Sequence, residues 1–193
     1  MLNPMLFSLC RPRILTLAGM IAAAAAARLL PHPPNFTPIA AIALFGGACF
    51  RDQRAAFAVP LGAMVLSDLV LGLTLYGLDS FLAMPLVYLC FALTVVMGQI
   101  IRRNLSSRSI AAAALASSVL FYLVTNLGVW ARGGLYPLTL EGLTACYLAA
   151  LPYFRNMILG NAFYTVLLFG GLALAGHAFP ALREEAATAG TRR

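Results

Sequence analysis

The sequence predicts an all-α integral membrane protein, a bundle of six transmembrane helices that forms one domain over residues 1–193. Of the 193 residues, 62% are hydrophobic and only 10% are charged, which leaves too little polar surface for a soluble domain of this size. The apolar residues come in long runs, such as 81–101, which is long enough to cross about 30 Å of hydrocarbon. No strand-like alternation competes with these runs, so helices satisfy the backbone in lipid.

Loops and prolines divide the apolar runs into six predicted spans. The spans are residues 12–30, 38–50, 55–76, 81–102, 109–130 and 155–177. The second is short and rich in Gly and Ala, so we expect it to lie inside the bundle. Between the last two spans, residues 140–151 are apolar but too few to cross the membrane. We expect them to form an interfacial helix within an outer lid, residues 131–154.

Arginines set the predicted orientation, because basic residues concentrate on the cytoplasmic side of membrane proteins. The net charge is +7, and the chain contains no lysine. If the N-terminus lies inside, three arginines face outward (Arg28, Arg132 and Arg155) and ten of the thirteen face the cytoplasm. Both termini are therefore expected to be cytoplasmic. The arginines lie between apolar runs and form no basic patch interleaved with aromatic residues, so the expected surroundings are a lipid bilayer and no nucleic acid.

The N-terminus allows two interpretations. Arg11 and Arg13, followed by an apolar run and the alanines at 22–27, also resemble a signal peptide with a small-residue cleavage site. Against this, Arg28 and the proline-rich segment after it are typical of a helix end and a loop. They favour a first helix that is retained.

Motifs for enzymatic chemistry are missing from the sequence. It contains no P-loop, no Gly-x-Ser-x-Gly, no HExxH and no carboxylate pair at catalytic spacing. The four cysteines form no CxxC pair, and no histidine lies at ligand spacing from them, so a zinc site has no support. We therefore expect a protein that is not an enzyme and has no cofactor of its own.

Polar residues concentrate in the predicted outer half of the spans. Asp68 lies in the outer half of span three, Asn126 ends span five, and Asn161 lies near the outer end of span six. A carboxylate at membrane depth is costly unless it is paired or hydrated, so Asp68 marks a functional site or a structural hydrogen bond between helices. The inner half of the spans contains few polar residues apart from Gln99. We therefore expect a polar cavity that opens to the outside.

The outer loops supply further candidates. Residues 31–38 contain four prolines and form a stiff loop, in which Asn35 or Thr37 either caps span two or contacts a ligand. His32 is expected to be a solvated loop residue. Outer aromatic residues form either an interfacial belt or part of a site, and the lack of an inner counterpart favours a site. The candidate ligand-binding residues are Asn35, Phe36, Thr37, Asp68, Tyr76, Asp79, Ser80, Asn126, Trp130, Tyr136, Tyr147, Tyr153 and Arg155.

A series of short motifs follows a fixed order between residues 31 and 170. They are Asn35-Phe36-Thr37-Pro38, Phe45-Gly46-Gly47, Leu66-Ser67-Asp68, Tyr76-Gly77, Thr125-Asn126, Tyr136-Pro137, Gly142-Leu143, Cys146-Tyr147 and Pro152-Tyr153-Phe154. This series resembles the BtuM family of small bacterial vitamin B12 transporters, which are similar to the S components of energy-coupling-factor transporters. The resemblance implies a six-helix bundle in the bacterial inner membrane that binds cobalamin from the periplasmic side.

The resemblance also implies roles for span one and for the loop after span three. Small residues on span one would contact a coupling subunit of an ATPase module. They are Ala18, Ala22, Ala23, Ala26 and Ala27. Whether import requires such a module is left open by the sequence. Some family members carry in that loop a cysteine that reaches the cobalt of cobalamin and supports removal of its cyanide. Here the loop offers Ser80, a poorer ligand than a thiolate, so Ser80 would face the cobalt without a strong bond and thiol-dependent decyanation is not expected.

Three alternatives stay open from the sequence. The chain could be an S-component-like importer of another vitamin or nutrient, a membrane enzyme that modifies a corrinoid or a lipid, or an assembly partner that transports nothing. A corrinoid absorption spectrum in the purified protein would separate the cobalamin transporter from all three.

Overall fold

The structure, a computed structural model, describes residues 4–77 and 85–182. Within these ranges the chain is helical and contains no strand, which confirms the predicted all-α class. The helices are α1 (Pro4–Ala27), α2 (Ile39–Cys49), α3 (Gln53–Leu71, continued by a π turn at Gly72–Tyr76), α4 (Pro85–Ile101), α5 (Ser107–Arg132) and α6 (Leu140–Ala178, with a π turn at Val166–Gly170). Short 3-10 turns follow α4 and α6, at Arg102–Asn104 and Pro180–Leu182.

Four of the helical segments are long and apolar enough to cross a membrane. They are Gln53–Leu75, Pro85–Asn104, Ser107–Arg132 and Leu140–Ala178. Two further apolar helices, Pro12–Ala27 and Ile39–Cys49, are shorter. Large apolar side chains such as Leu66, Leu73 and Val166 are exposed on the outside of the bundle, where lipid can cover them. These features are consistent with a multi-pass membrane protein.

The short helix α2 forms the centre of the bundle. Every residue from Ala40 to Cys49 is buried, and the helix contacts α1, α3, α4, α5 and α6. No side chain of α2 is charged or hydrogen-bonding apart from the thiol of Cys49, so the helix can be enclosed on all sides without an unpaired polar group. The expectation that the second span packs inside the bundle is confirmed.

Glycines let α2 and α4 approach each other backbone to backbone. A Cβ atom added to Gly47 would collide with the Val95 carbonyl oxygen, and one added to Gly98 would collide with the Leu44 carbonyl oxygen. Small residues permit this close helix contact in membrane proteins. Arg102 closes the same end of the bundle, since its Nη2 donates to the Gly47 carbonyl oxygen over 2.6 Å and so satisfies an orphan group at the end of α2.

The predicted lid helix is not a separate element. Residues 140–151 form the first turns of α6, which continues through Pro152 to Ala178. At about 1.5 Å per residue, its 39 residues extend for about 58 Å, almost twice the hydrocarbon thickness. The whole of α6 is therefore longer than one perpendicular crossing of the hydrocarbon requires. The sequence-based boundary near Pro152 was wrong because a proline inside a membrane helix can be accommodated when neighbouring groups support the backbone.

We predict that Gly98→Ala destabilises the protein, because the new methyl group would lie within 2.9 Å of Gly47 Cα and closer still to the Leu44 carbonyl oxygen. The expected cost is about 1–3 kcal/mol, measured as a lower Tm of the detergent-purified protein. Gly62→Ala is the matched control, since a Cβ there meets no atom within 4 Å and should leave the Tm unchanged or raise it. Equal effects of the two substitutions would contradict the close α2–α4 contact.

Candidate functional site

A cavity of about 770 Å³ lies between the loop that follows α1 and helices α3, α4, α5 and α6. It is at the end of the bundle that the sequence predicts to face outward, away from the glycine contact between α2 and α4. Its apolar walls include Met64, Val87 and Phe121. Its polar lining residues are Arg28, His32, Asn35, Thr37, Asp68, Tyr88, Tyr122, Thr125, Asn126, Tyr153 and Asn161.

A buried ion pair forms one wall of the cavity. Arg28 Nη2 lies 2.6 Å from Asp68 Oδ1, and the two side chains are 9% and 6% exposed. Arg28 follows the end of α1 and Asp68 is in α3, so the pair ties these helices together. Arg28 also donates to the Ser67 hydroxyl, and the Tyr88 hydroxyl of α4 donates to Asp68 Oδ2 over 2.7 Å. Each charge is thus compensated, as a charge at membrane depth requires.

The loop at residues 31–38 is held against α6 and forms the roof of the cavity. The Asn156 side chain donates to the Pro34 carbonyl oxygen over 3.0 Å, and a Cβ on Gly160 would lie 3.0 Å from Phe36 Cα. The Phe36 ring packs against Phe163 and Tyr164. The φ of Asn35 is 63°, a left-handed conformation that Asn tolerates better than most residues. This bend leaves Asn35 and Thr37 in the lining, while Phe36 anchors the loop outside it.

Asn161 forms the polar floor of the cavity. Its side chain is buried, and its Nδ2 lies 2.7 Å from the Ala114 carbonyl oxygen and within 3.0 Å of the Ser117 and Ser118 hydroxyls. The Thr165 hydroxyl donates to Asn161 Oδ1 over 3.4 Å. Because each polar atom has a partner, the cluster can join α5 to α6 without a desolvation penalty.

Aromatic side chains connect α5 to α6 near the cavity. The Tyr122 hydroxyl donates to the Tyr147 carbonyl oxygen and the Tyr147 hydroxyl to the Leu123 carbonyl oxygen, each over 2.7 Å. The Tyr122 ring stacks on Phe154 with centroids 4.3 Å apart. At the tip, Trp130 Nε1 donates to the Pro137 carbonyl oxygen over 3.0 Å. These bonds hold the C-terminal part of α5 and the N-terminal part of α6 together.

The structure divides the predicted site residues into three groups. Five of the predicted residues line the cavity: Asn35, Thr37, Asp68, Asn126 and Tyr153. Five others are placed outside its lining: Phe36, Trp130, Tyr136, Tyr147 and Arg155. The predictions for Asp79, Ser80 and the Tyr76 side chain lie outside the described residues.

Several lining residues were missed by the sequence-based prediction. His32 is half-buried in the cavity wall, whereas a solvated loop position was expected. Arg28 was used only to set the orientation, although an intramembrane Asp68 requires a cationic partner and Arg28 was an available candidate. No sequence pattern identified Tyr88 and Tyr122 as lining residues. Each lies within an apolar run, and the direction of its side chain depends on the rotation of its helix.

The predicted coupling residues of α1 lie beside a second, smaller opening. Ala18, Ala22 and Ala26 line a groove of about 450 Å³ between α1 and α3. Ala23 is exposed and Ala27 half-buried, both outside that groove. The small side chains leave α1 and α3 incompletely packed along this face, which is open at the surface of the bundle.

We predict that Asp68→Leu alone costs about 3–5 kcal/mol of stability, because it leaves the Arg28 charge buried without its partner. The double variant Arg28→Met with Asp68→Leu removes both charges and should lose less stability than Asp68→Leu does. The Tm of each detergent-purified variant measures the effect, with the exposed Arg155→Met as control. A double variant as unstable as the sum of its two single variants would contradict the pairing.

Comparison with known proteins places the chain in a family. No curated protein and no solved structure matches the chain. A family model, described as a family of unknown function (DUF6580), matches residues 8–182. These residues include all six helices almost completely and every residue that lines the cavity. Because the match extends over most of the sequence, the chain belongs to the DUF6580 family.

Proposed function

We propose that the protein is a membrane transporter that binds cobalamin in the 770 Å³ cavity from the periplasmic side and imports it. The observation that carries this proposal is the chemistry of the lining. Within the described residues, its two charges, on Arg28 and Asp68, neutralise each other, and its other polar groups are amides, hydroxyls and one imidazole. A neutral ligand with a rim of amides and an apolar ring face suits such a site. The choice of cobalamin among such ligands rests on the motif series that resembles the BtuM family.

The cavity volume favours a second candidate, a smaller vitamin or nutrient. Sites of about 300–1,000 Å³ enclose drug-sized ligands, and the volume of 770 Å³ falls inside that range. A corrinoid is larger than a drug-sized molecule, so part of it would extend past the cavity toward the outer turns of α5 and α6. A smaller ligand would be enclosed completely.

The environment of Asp68 supports binding and transport over enzymatic chemistry. A general base needs a free carboxylate oxygen within reach of the proton that it removes. Both oxygens of Asp68 are engaged, one by Arg28 and the other by Tyr88. The carboxylate therefore suits a structural and binding role. A membrane enzyme that modifies a corrinoid or a lipid would need another catalytic group.

We further propose six spans with both termini in the cytoplasm of a bacterial cell, where the chain would lie in the inner membrane. The ten-to-three division of the arginines supports this orientation. The groove between α1 and α3, with Ala18, Ala22 and Ala26 on its wall, is the surface that we assign to contact with an energy-coupling ATPase module, because small residues allow close helix contact.

We predict that the purified protein binds cyanocobalamin and that Asn126→Leu weakens binding about tenfold, the equivalent of one hydrogen bond. Asn126 Nδ2 donates to the Tyr122 carbonyl oxygen, which leaves the Asn126 side-chain oxygen available to a ligand. Titration calorimetry measures the Kd, and Asn104→Leu, at an exposed position near the opposite end of the bundle, is the control. Absence of cobalamin binding together with binding of a smaller vitamin would replace the first candidate by the second.

We predict that reporter fusions after Arg103 and at the C-terminus both report a cytoplasmic location. A fusion between Gly133 and Gly134, in the loop that joins α5 and α6, should report a periplasmic location. Phosphatase and fluorescent-protein reporters give opposite signals on the two sides and check each other. A periplasmic C-terminus would contradict the proposed topology.

A further inference from the structure

His32 has one ring nitrogen engaged and the other available. Its Nδ1 lies 3.0 Å from the Pro33 carbonyl oxygen, and because a carbonyl only accepts, Nδ1 must donate. In the neutral ring, Nε2 then carries a lone pair. Among residues 4–77 and 85–182, no hydrogen-bond partner occupies Nε2. The side chain is half-buried in the cavity wall, where a bound ligand would meet it.

This arrangement is typical of a histidine that ligates a metal. Such histidines donate their second ring N–H to a carbonyl or carboxylate, which fixes the tautomer and the orientation of the ring. The backbone around His32 is also restricted, since prolines flank it at 31, 33 and 34. The bond from Asn156 to the Pro34 carbonyl oxygen holds the loop on α6. The imidazole is therefore positioned before a ligand arrives.

Within the described residues, the cysteine and carboxylate side chains are either already engaged or placed away from the cavity. Cys49, Cys90 and Cys146 are buried and do not line it, and Asp68 is bound by Arg28 and Tyr88. Within the described part of the chain, no group of three or more His, Cys, Asp or Glu residues could hold a bare ion. One imidazole does suffice as the axial ligand of a metal whose other positions are filled by a macrocycle.

We propose that His32 Nε2 is the axial ligand of a metal held in a macrocyclic chelate, the cobalt of a corrinoid. This rests on the proposed function and adds the atom that contacts the metal. The step is a ligand exchange: the Nε2 lone pair forms a cobalt–nitrogen bond, and the previous axial ligand, water or the corrinoid's own base, leaves with its electron pair. No electron is transferred. The axial bond thus comes from the loop after α1 and needs no contribution from Ser80.

The test uses full-length protein in detergent and cobinamide, a corrinoid without its own nucleotide base, in the Co(II) state. An axial nitrogen then has to come from the protein. Electron paramagnetic resonance should show a nitrogen triplet on the cobalt lines, which becomes a doublet when the protein carries ¹⁵N-labelled histidine. His32→Ala should abolish this splitting, and added imidazole should restore it.

His177→Ala is the matched control. His177 is the second of the two histidines of the chain and lies in the last turn of α6, so its removal should leave the splitting intact. If His32→Ala yields no folded protein, His32→Gln keeps a hydrogen-bonding side chain and should also lack the splitting. Cobinamide bound without nitrogen splitting, or with splitting that survives in the His32 variant, overturns the assignment but leaves the proposed function standing. Failure of the wild-type protein to bind any corrinoid overturns both.

Discussion

The ion pair between Arg28 and Asp68 is the interaction that holds together the end of the bundle where the cavity lies. A lone charge at the centre of a membrane helix costs about 2.5–3.5 kcal/mol on insertion scales, so a carboxylate within an apolar helix needs a close counter-charge. Arg28 supplies it at 2.6 Å, and Ser67 and Tyr88 each add a hydrogen bond to the pair. The requirement to pair these charges fixes where α1 ends, relative to α3 and α4. The loop that follows then passes over the cavity.

The bundle is closed at one end and open at the other because its helices meet through different kinds of residue. Toward the C-terminus of α2, Gly47 and Gly98 bring two backbones into contact and Arg102 covers the helix end. Toward its N-terminus, α2 contributes only Ile39 and Ala40 to the cavity, and the remaining lining comes mostly from larger polar, aromatic and aliphatic side chains on the surrounding elements. Where the glycines bring two helices into backbone contact, no space remains for a ligand. Where larger side chains keep the helices apart, a cavity can form between them.

The chemistry of the cavity connects its stability with its proposed function. The groups that stabilise the wall, such as Asp68 and Asn161, are engaged by neighbouring residues, Asp68 through an ion pair and a hydrogen bond and Asn161 through hydrogen bonds. His32 and Asn126 can accept a further hydrogen bond. Each makes one side-chain hydrogen bond to a nearby backbone carbonyl and retains an acceptor atom without a partner among the described residues. A site built in this way can bind a neutral ligand while its charged framework stays intact.

Hydropathy, glycine content and a charge inside an apolar run are local properties, so the sequence was enough to predict the helical class, helices apolar enough to cross a membrane, the burial of α2 and a position for Asp68 beside a cavity. Which side chains contact each other became clear only in the folded bundle. Arg28 and Asp68 pair across forty residues of sequence, and Tyr122 faces the cavity while Tyr147 does not. Helix α6 also continues through Pro152, although that proline predicted a boundary. These outcomes depend on the rotation of each helix about its axis and on contacts between distant segments, neither of which short-range sequence patterns encode.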